Sequence, residues 1–235
     1  MKGSTFVLWM CLSISMSAQP IPKSNLPVST TERIAELLHV PKEYLTAIKL
    51  EQSKYIVVLF YDQYYKITST RSGSNFFLKI LQQTTSQLEI VASVEKDLSP
   101  YGRNFKLDLA PYRLNQEEML IGLRYEVFPS KHPWPWLILY RIIGNKLLPV
   151  LEVDMEGHDY DWTEHGEDNI RNVLTRRIAV SKYTTNGCFD LISFATLDNY
   201  RMKPQLIKWN GSRYLVPKGF VGHSNNSKVP TDDPR

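Results

Sequence analysis

Apolar and polar positions alternate with a period of two along much of this chain. The cleanest run is Met119, Ile121, Leu123, Tyr125 and Val127, with Arg124 and Glu126 on the opposite parity. Successive strand side chains point to opposite faces, so this pattern predicts a half-buried strand. Leu88, Ile90, Ala92 and Val94 repeat it, as do Phe105, Leu107 and Leu109. Residues 55–61 and 136–143 are instead continuous apolar runs, which predict strands covered on both faces. The second run turns at Gly144-Asn145 and returns over 146–153, a predicted central hairpin. Further strands are predicted at 76–81, at 170–182 with its partner 189–197, and at 205–209 and 213–216 about Asn210-Gly211.

Helical spacing is confined to one stretch. Ser29-Thr30-Thr31-Glu32 reads as a capping box, with Ser29 as N-cap and Glu32 at N3, ahead of Ile34, Leu37 and Leu38. A short helix over 30–39 is predicted, ended by Pro41, with a second short turn over 41–46. No connection carries the helical crossover that parallel pairing needs. The expected fold class is all-β with one short N-terminal helix. Its antiparallel meander of about ten strands would form a two-sheet sandwich, an open barrel or a partial propeller.

The ends of the chain read differently. Lys2, the apolar stretch 6–14 and Ser15-Met16-Ser17-Ala18 have the layout of a signal peptide over 1–18, which places the mature protein in the periplasm or outside the cell. Three prolines make 19–28 a linker, 29–216 is expected as a single β-rich domain, and 217–235 as a disordered tail. No other stretch reaches the ~18 consecutive apolar residues of a membrane helix, so no transmembrane segment is expected in the mature chain. After cleavage Cys188 is the single thiol, without an internal disulfide partner, and is expected as a small buried hydrophobe beside Phe189.

The net charge of +4 is too small to point to nucleic acid. Its distribution matters more. Eight carboxylates and no Lys or Arg lie between Lys146 and Arg171, an acidic island on a basic chain. We expect 157–168 to be a polar loop in which Asp159 and Asp161 alternate as calcium ligands do. His158 and His165, with Asp159 and Asp161, are the weaker candidates for a transition metal. H-E-x-x-H is absent and the Gly and Glu positions of a calcium loop are not filled, so no metal or other cofactor is assigned.

Phe105-Lys106-Leu107-Asp108-Leu109-Ala110-Pro111-Tyr112-Arg113-Leu114, followed by Ile121-Gly122-Leu123-Arg124, resembles a phrase in exported bacterial proteins without an established activity. Leu139-Tyr140-Arg141, Leu148-Pro149-Val150-Leu151 and Gly187-Cys188-Phe189-Asp190-Leu191 resemble the same proteins. The resemblance implies an envelope location and no chemistry. Pro111 lacks a ladder donor and ends a strand, and Asp108 is expected to pair with Arg113 across that corner, as a structural device.

The candidate binding residues are Trp134, Trp136, Asp159, Asp161, Trp162, Glu164 and Arg176: aromatic rings for stacking, carboxylates for accepting hydrogen bonds and one cation. Arg176 shares the parity of Ile170, Leu174, Ile178 and Val180, so either a bulge turns it outward or it points inward and must find an anion; a bulge or a strand-end position is the expectation. No hydrolase elbow, Walker loop or dinucleotide fingerprint is present. We therefore expect an exported non-enzymatic domain that binds a protein or envelope component through its loops. The alternatives are a glycan hydrolase using two carboxylates of 152–168 and a calcium-binding module.

Overall fold

In the computed structural model the chain is described over residues 26–50, 53–61, 75–84, 87–97, 102–127, 134–162, 168–218 and 220. The signal-like leader, nearly all of the linker and most of the expected tail lie outside these residues. The helix α1 (Val28–Leu38) is followed by a 3-10 turn at Lys42–Tyr44 and then by strands. The expected capping box does not form: the N-cap is Pro27, without a side-chain cap bond, and the helix begins ahead of Ser29. Pro27 supplies its carbonyl to Thr30 N and Thr31 N, so the fixed proline geometry starts the helix instead.

The strands form two sheets. The first joins β1 (Leu45–Lys49), β2 (Tyr55–Tyr61), β3 (Asn75–Gln83), β4 (Leu88–Asp97), β5 (Gly102–Asp108), β6 (Ile121–Val127), β7 (Trp134–Ile143) and β8 (Lys146–Asp154). It curls into a half-barrel with strand order β1-β2-β3-β4-β8-β7-β6-β5. The two halves are antiparallel meanders, as alternation and short turns predict. They meet at β4 and β8, which run parallel through the single register pair Ser93↔Lys146, an exception to the sequential antiparallel order expected.

The second sheet has the order β14-β13-β11-β10-β9, with β12 beside β11. Its strands are β9 (Glu156–Trp162), β10 (Asp168–Thr185), β11 (Cys188–Leu197), β12 (Tyr200–Arg201), β13 (Gln205–Trp209) and β14 (Tyr214–Leu215). Gly144, at φ +58°, opens the β7–β8 turn, and Asn186-Gly187 turn β10 into β11 with φ +52° and +74°. Positive φ at these positions matches the strand twist that tight hairpins need. The described part of the expected loop is therefore strand, and residues 163–167 lie outside the described residues. Residues 156–162 and those from 168 onward are paired arms of a hairpin, Asp159 opposite Arg171 and Asp161 opposite Asn169, with β9 on the sheet edge.

Three apolar clusters explain the layering. Val57, Leu59, Leu78, Leu123, Ile138 and their neighbours fill the half-barrel interior. Ile56, Val58 and Phe60, on the other face of β2, pack with Ile34 of α1. Leu137 and Leu139, on the other face of β7, pack with Ile178, Leu191 and Ile207 of the second sheet. The two continuous apolar runs are thus the two strands sandwiched between layers. No helix among the described residues is long and apolar enough to cross a membrane.

Candidate functional site

A β-bulge at Val150 sets the interior chemistry. Tyr140 pairs with Pro149 and Leu139 with Leu151, so Val150 is an extra residue that reverses the parity of the rest of β8. Glu152 and Asp154 then face the half-barrel interior opposite Ile138 and Trp136. Each is held there. The Tyr125 hydroxyl donates to Glu152 Oε1 at 2.6 Å, and Arg176 Nη2 lies 3.4 Å from Asp154 Oδ1, both of the latter side chains being almost fully buried. Burial first, then the Glu152 charge, push the phenols of Tyr125 and Tyr140 up from their ordinary range. Glu152 and Asp154 are thus engaged internally, whereas Glu156, the third carboxylate of the supposed hydrolase segment whose side chain is described, is exposed.

Arg176 keeps the inward parity, which corrects the expected bulge: the irregularities in β10 fall on either side of it, between Arg171 and Leu174 and between Val180 and Thr184. Its anion is Asp154. Nη1 also donates to Ser193 Oγ at 3.2 Å, and the Phe220 ring covers the guanidinium at 3.9 Å. Burial pulls its pKa down and Asp154 pulls it back up. Trp136 is likewise interior, next to Tyr125 with ring centroids 6.3 Å apart, and is no surface platform. Trp134 belongs to β7, and His158, Asp159, Asp161 and Trp162 to β9, where the backbone alone is described; Glu164 and His165 lie outside the described residues. Among the described residues no group of three or more His, Cys, Asp or Glu side chains is placed to hold a metal.

Trp136 Nε1 and Tyr140 Oη are buried without a hydrogen-bond partner. Leaving such a group unsatisfied costs about 1–3 kcal/mol. Tyr140→Phe is therefore expected to be neutral or stabilising by about 1 kcal/mol, whereas Tyr125→Phe, which loses a bond to a carboxylate, should cost about 1.5–3 kcal/mol. Urea denaturation of both variants checks the opposite signs. A Tyr140→Phe loss as large as that of Tyr125→Phe would mean that Tyr140 is satisfied after all, by a buried water.

The segments that carry the resemblance converge at the opposite end of the half-barrel. Asp108 Oδ1 accepts from Ala110 N, and Oδ2 from the Tyr112 hydroxyl at 3.1 Å and from Arg124 Nε at 2.7 Å. The partner of Asp108 is thus Arg124 rather than Arg113, because β5 and β6 put both on one outer face. Gly122 is required between them: a Cβ there would lie 2.8 Å from the Asp108 Cβ and 3.2 Å from the Tyr112 ring. Leu114 O accepts from Phe189 N, tying this corner to the second sheet, within which Asp190 Oδ1 accepts from Trp209 N. Cys188, half-buried there, has its thiol pushed up by burial, as expected of a packing residue.

This corner folds over a trough. Asn115 Oδ1 caps Glu117 N and Glu118 N, fixing the turn, and Arg141 grips Glu118 with Nε–Oε1 at 2.6 Å and Nη2–Oε2 at 3.0 Å. The guanidinium also lies 5.7 Å from the Trp209 ring. Beside this clamp is a cavity of about 550 Å³ walled by Leu50, Tyr55, Met119, Ile121 and Ile142, with Ser53, Asn115, Glu117, Glu118 and Arg141 as its polar groups. A smaller cavity of about 160 Å³ shares Leu50, Met119 and Ile121 and runs between β1–β2 and β5–β6. One signal for this site is present in the sequence and absent from the candidate residues above: Arg141 interrupts an apolar central strand, and a cation there needs a partner.

Comparison of the chain with protein-family models, with curated proteins and with solved structures gives no match in any of the three.

Proposed function

We propose that this chain is an exported, non-enzymatic binding module that holds an amphipathic envelope component in the trough at the seam of the half-barrel. The observation that carries the reading is the 550 Å³ cavity, lined by apolar side chains together with polar groups that include the Glu118–Arg141 clamp. Ligand sites combine this volume, apolar lining and a few fixed polar groups. The leader-like first 18 residues support export. The inward engagement of Glu152 and Asp154 weighs against the glycan-hydrolase alternative.

The test uses Nile red, a neutral apolar dye that brightens when shielded from water. The full chain should enhance its fluorescence with saturable 1:1 stoichiometry. Met119→Trp, at one of the three residues shared by both cavities, should weaken binding by about tenfold, some 1.4 kcal/mol. Circular dichroism and melting temperature establish that the variant is folded, and Ile142→Phe provides a second filling from the opposite wall. Dye binding absent from the parent, or unchanged in both folded variants, would sink the reading.

A further inference from the structure

We infer that the trough takes a ligand with an apolar body and a cationic head, an alkylammonium amphiphile; this deepens the binding-module reading and rests on it. The floor dictates the body. Leu50, Tyr55, Met119, Ile121 and Ile142 line the larger cavity, and Ile48, Val57 and Leu107 extend the apolar lining into the smaller one. A chain lying there removes apolar surface of its own and of the protein from water, at roughly 25 cal/mol per Å².

Charge complementarity dictates the head. Glu117, Glu118 and Arg141 are the charged residues lining the larger cavity. Arg141 is occupied: two of its nitrogens lie on the Glu118 carboxylate and its guanidinium is directed at Trp209. Glu118 and Arg141 therefore cancel. Glu117 is exposed at the mouth and makes no ion pair among the described residues. An anionic head would meet two carboxylates with no uncommitted cation in this lining, and a neutral head would leave the Glu117 charge unanswered. A cationic head would answer it. The Tyr55 ring is already met by the Lys54 ammonium, 5.5 Å from its centroid, so the head is left to Glu117. In the smaller cavity Asp108 is held by Arg124, and Lys49 lines that cavity and not the larger one. The exposed carboxylate Glu117 thus belongs to the larger cavity and the lysine to the smaller.

The test is displacement of bound Nile red from the full chain by dodecylammonium, dodecanoate and dodecanol, each below its aggregation concentration. Dodecylammonium is expected to displace the dye at about tenfold lower concentration than dodecanoate, with dodecanol between them and the gap narrowing at high salt. Glu117→Gln should shrink the gap and Glu117→Lys should reverse it, each gap being read relative to that variant's own dye affinity. Equal or better displacement by dodecanoate, with the dye still bound in the cavity, would overturn the charge assignment and leave the binding module standing. A gap unchanged by both Glu117 variants would overturn it too. Failure of the dye itself to bind would remove both readings at once.

Discussion

Arg176→Ala is expected to cost about 3–5 kcal/mol, because it removes the buried guanidinium that faces the buried Asp154 carboxylate. With domain stabilities of about 5–15 kcal/mol, that is enough to leave a marginal protein partly unfolded. The cause is local. Both side chains are essentially inaccessible, the pair spans the junction between the half-barrel and the second sheet, and Ser193 and Phe220 complete the guanidinium's surroundings. Arg176→Met combined with Asp154→Leu removes both charges and should recover most of the loss, since well-packed apolar replacements of buried pairs are often neutral or stabilising. Chemical denaturation of the two single variants and the double variant measures this. If Arg176→Ala costs less than about 1 kcal/mol, the pair is solvated and contributes as a surface bridge does.

Gly122→Val is the second large expected effect, at about 1–3 kcal/mol or more, from overpacking. The added Cβ alone would lie 2.8 Å from the Asp108 Cβ and 3.1 Å from its carbonyl oxygen. Asp108 has little freedom to retreat, since its two carboxylate oxygens accept three hydrogen bonds from Ala110, Tyr112 and Arg124. Tyr112 is itself packed, its phenol pushed up by burial and by the Asp108 charge. Thermal unfolding of Gly122→Ala and Gly122→Val should show a graded loss. A Gly122→Val protein as stable as the parent would mean that the corner shifts freely and that Asp108, Tyr112 and Gly122 do not interlock.

Much of this architecture was legible because it follows from period and turn chemistry. The β7–β8 hairpin, the alternation of β6 and the Asn186-Gly187 turn all fall where the pattern puts them. So does the double coverage of β2 and β7, since a strand apolar on both faces needs a layer on each. The misreadings within the sheets depend on register. One extra residue at Val150 turns Glu152 and Asp154 from the outer face to the inner one, and no composition signal marks a bulge. The same holds for Asp108, whose partner lies across the ladder in Arg124 rather than nearby in sequence. The acidic stretch looked like a loop because charge density obscured its strand period; pairing with β10 nevertheless makes it an edge strand, and charged residues are a common way of guarding an edge. The trough was illegible for a simpler reason. Its walls come from β1–β2, the 113–119 turn and β7, segments far apart along the chain.

The single register pair joining β4 to β8 bears on how the molecule folds and breathes. Each four-stranded meander closes through connections between consecutive strands, whereas the β4–β8 contact must close about fifty residues of chain, at greater entropic cost and with less ladder in return. We expect the meanders to form as separate cooperative units and the joint to be the first part of the ladder to open, read as faster native-state amide exchange at Ser93 and Lys146 than in the middles of β2 and β7. Equal protection would place the joint in one unit with its neighbours. The joint sits midway along the curled sheet, while the two free edges, β1 and β5, flank the trough. A small rotation at the weakest ladder therefore has a long lever on the opposite seam, so that the half-barrel can widen there without breaking any hairpin.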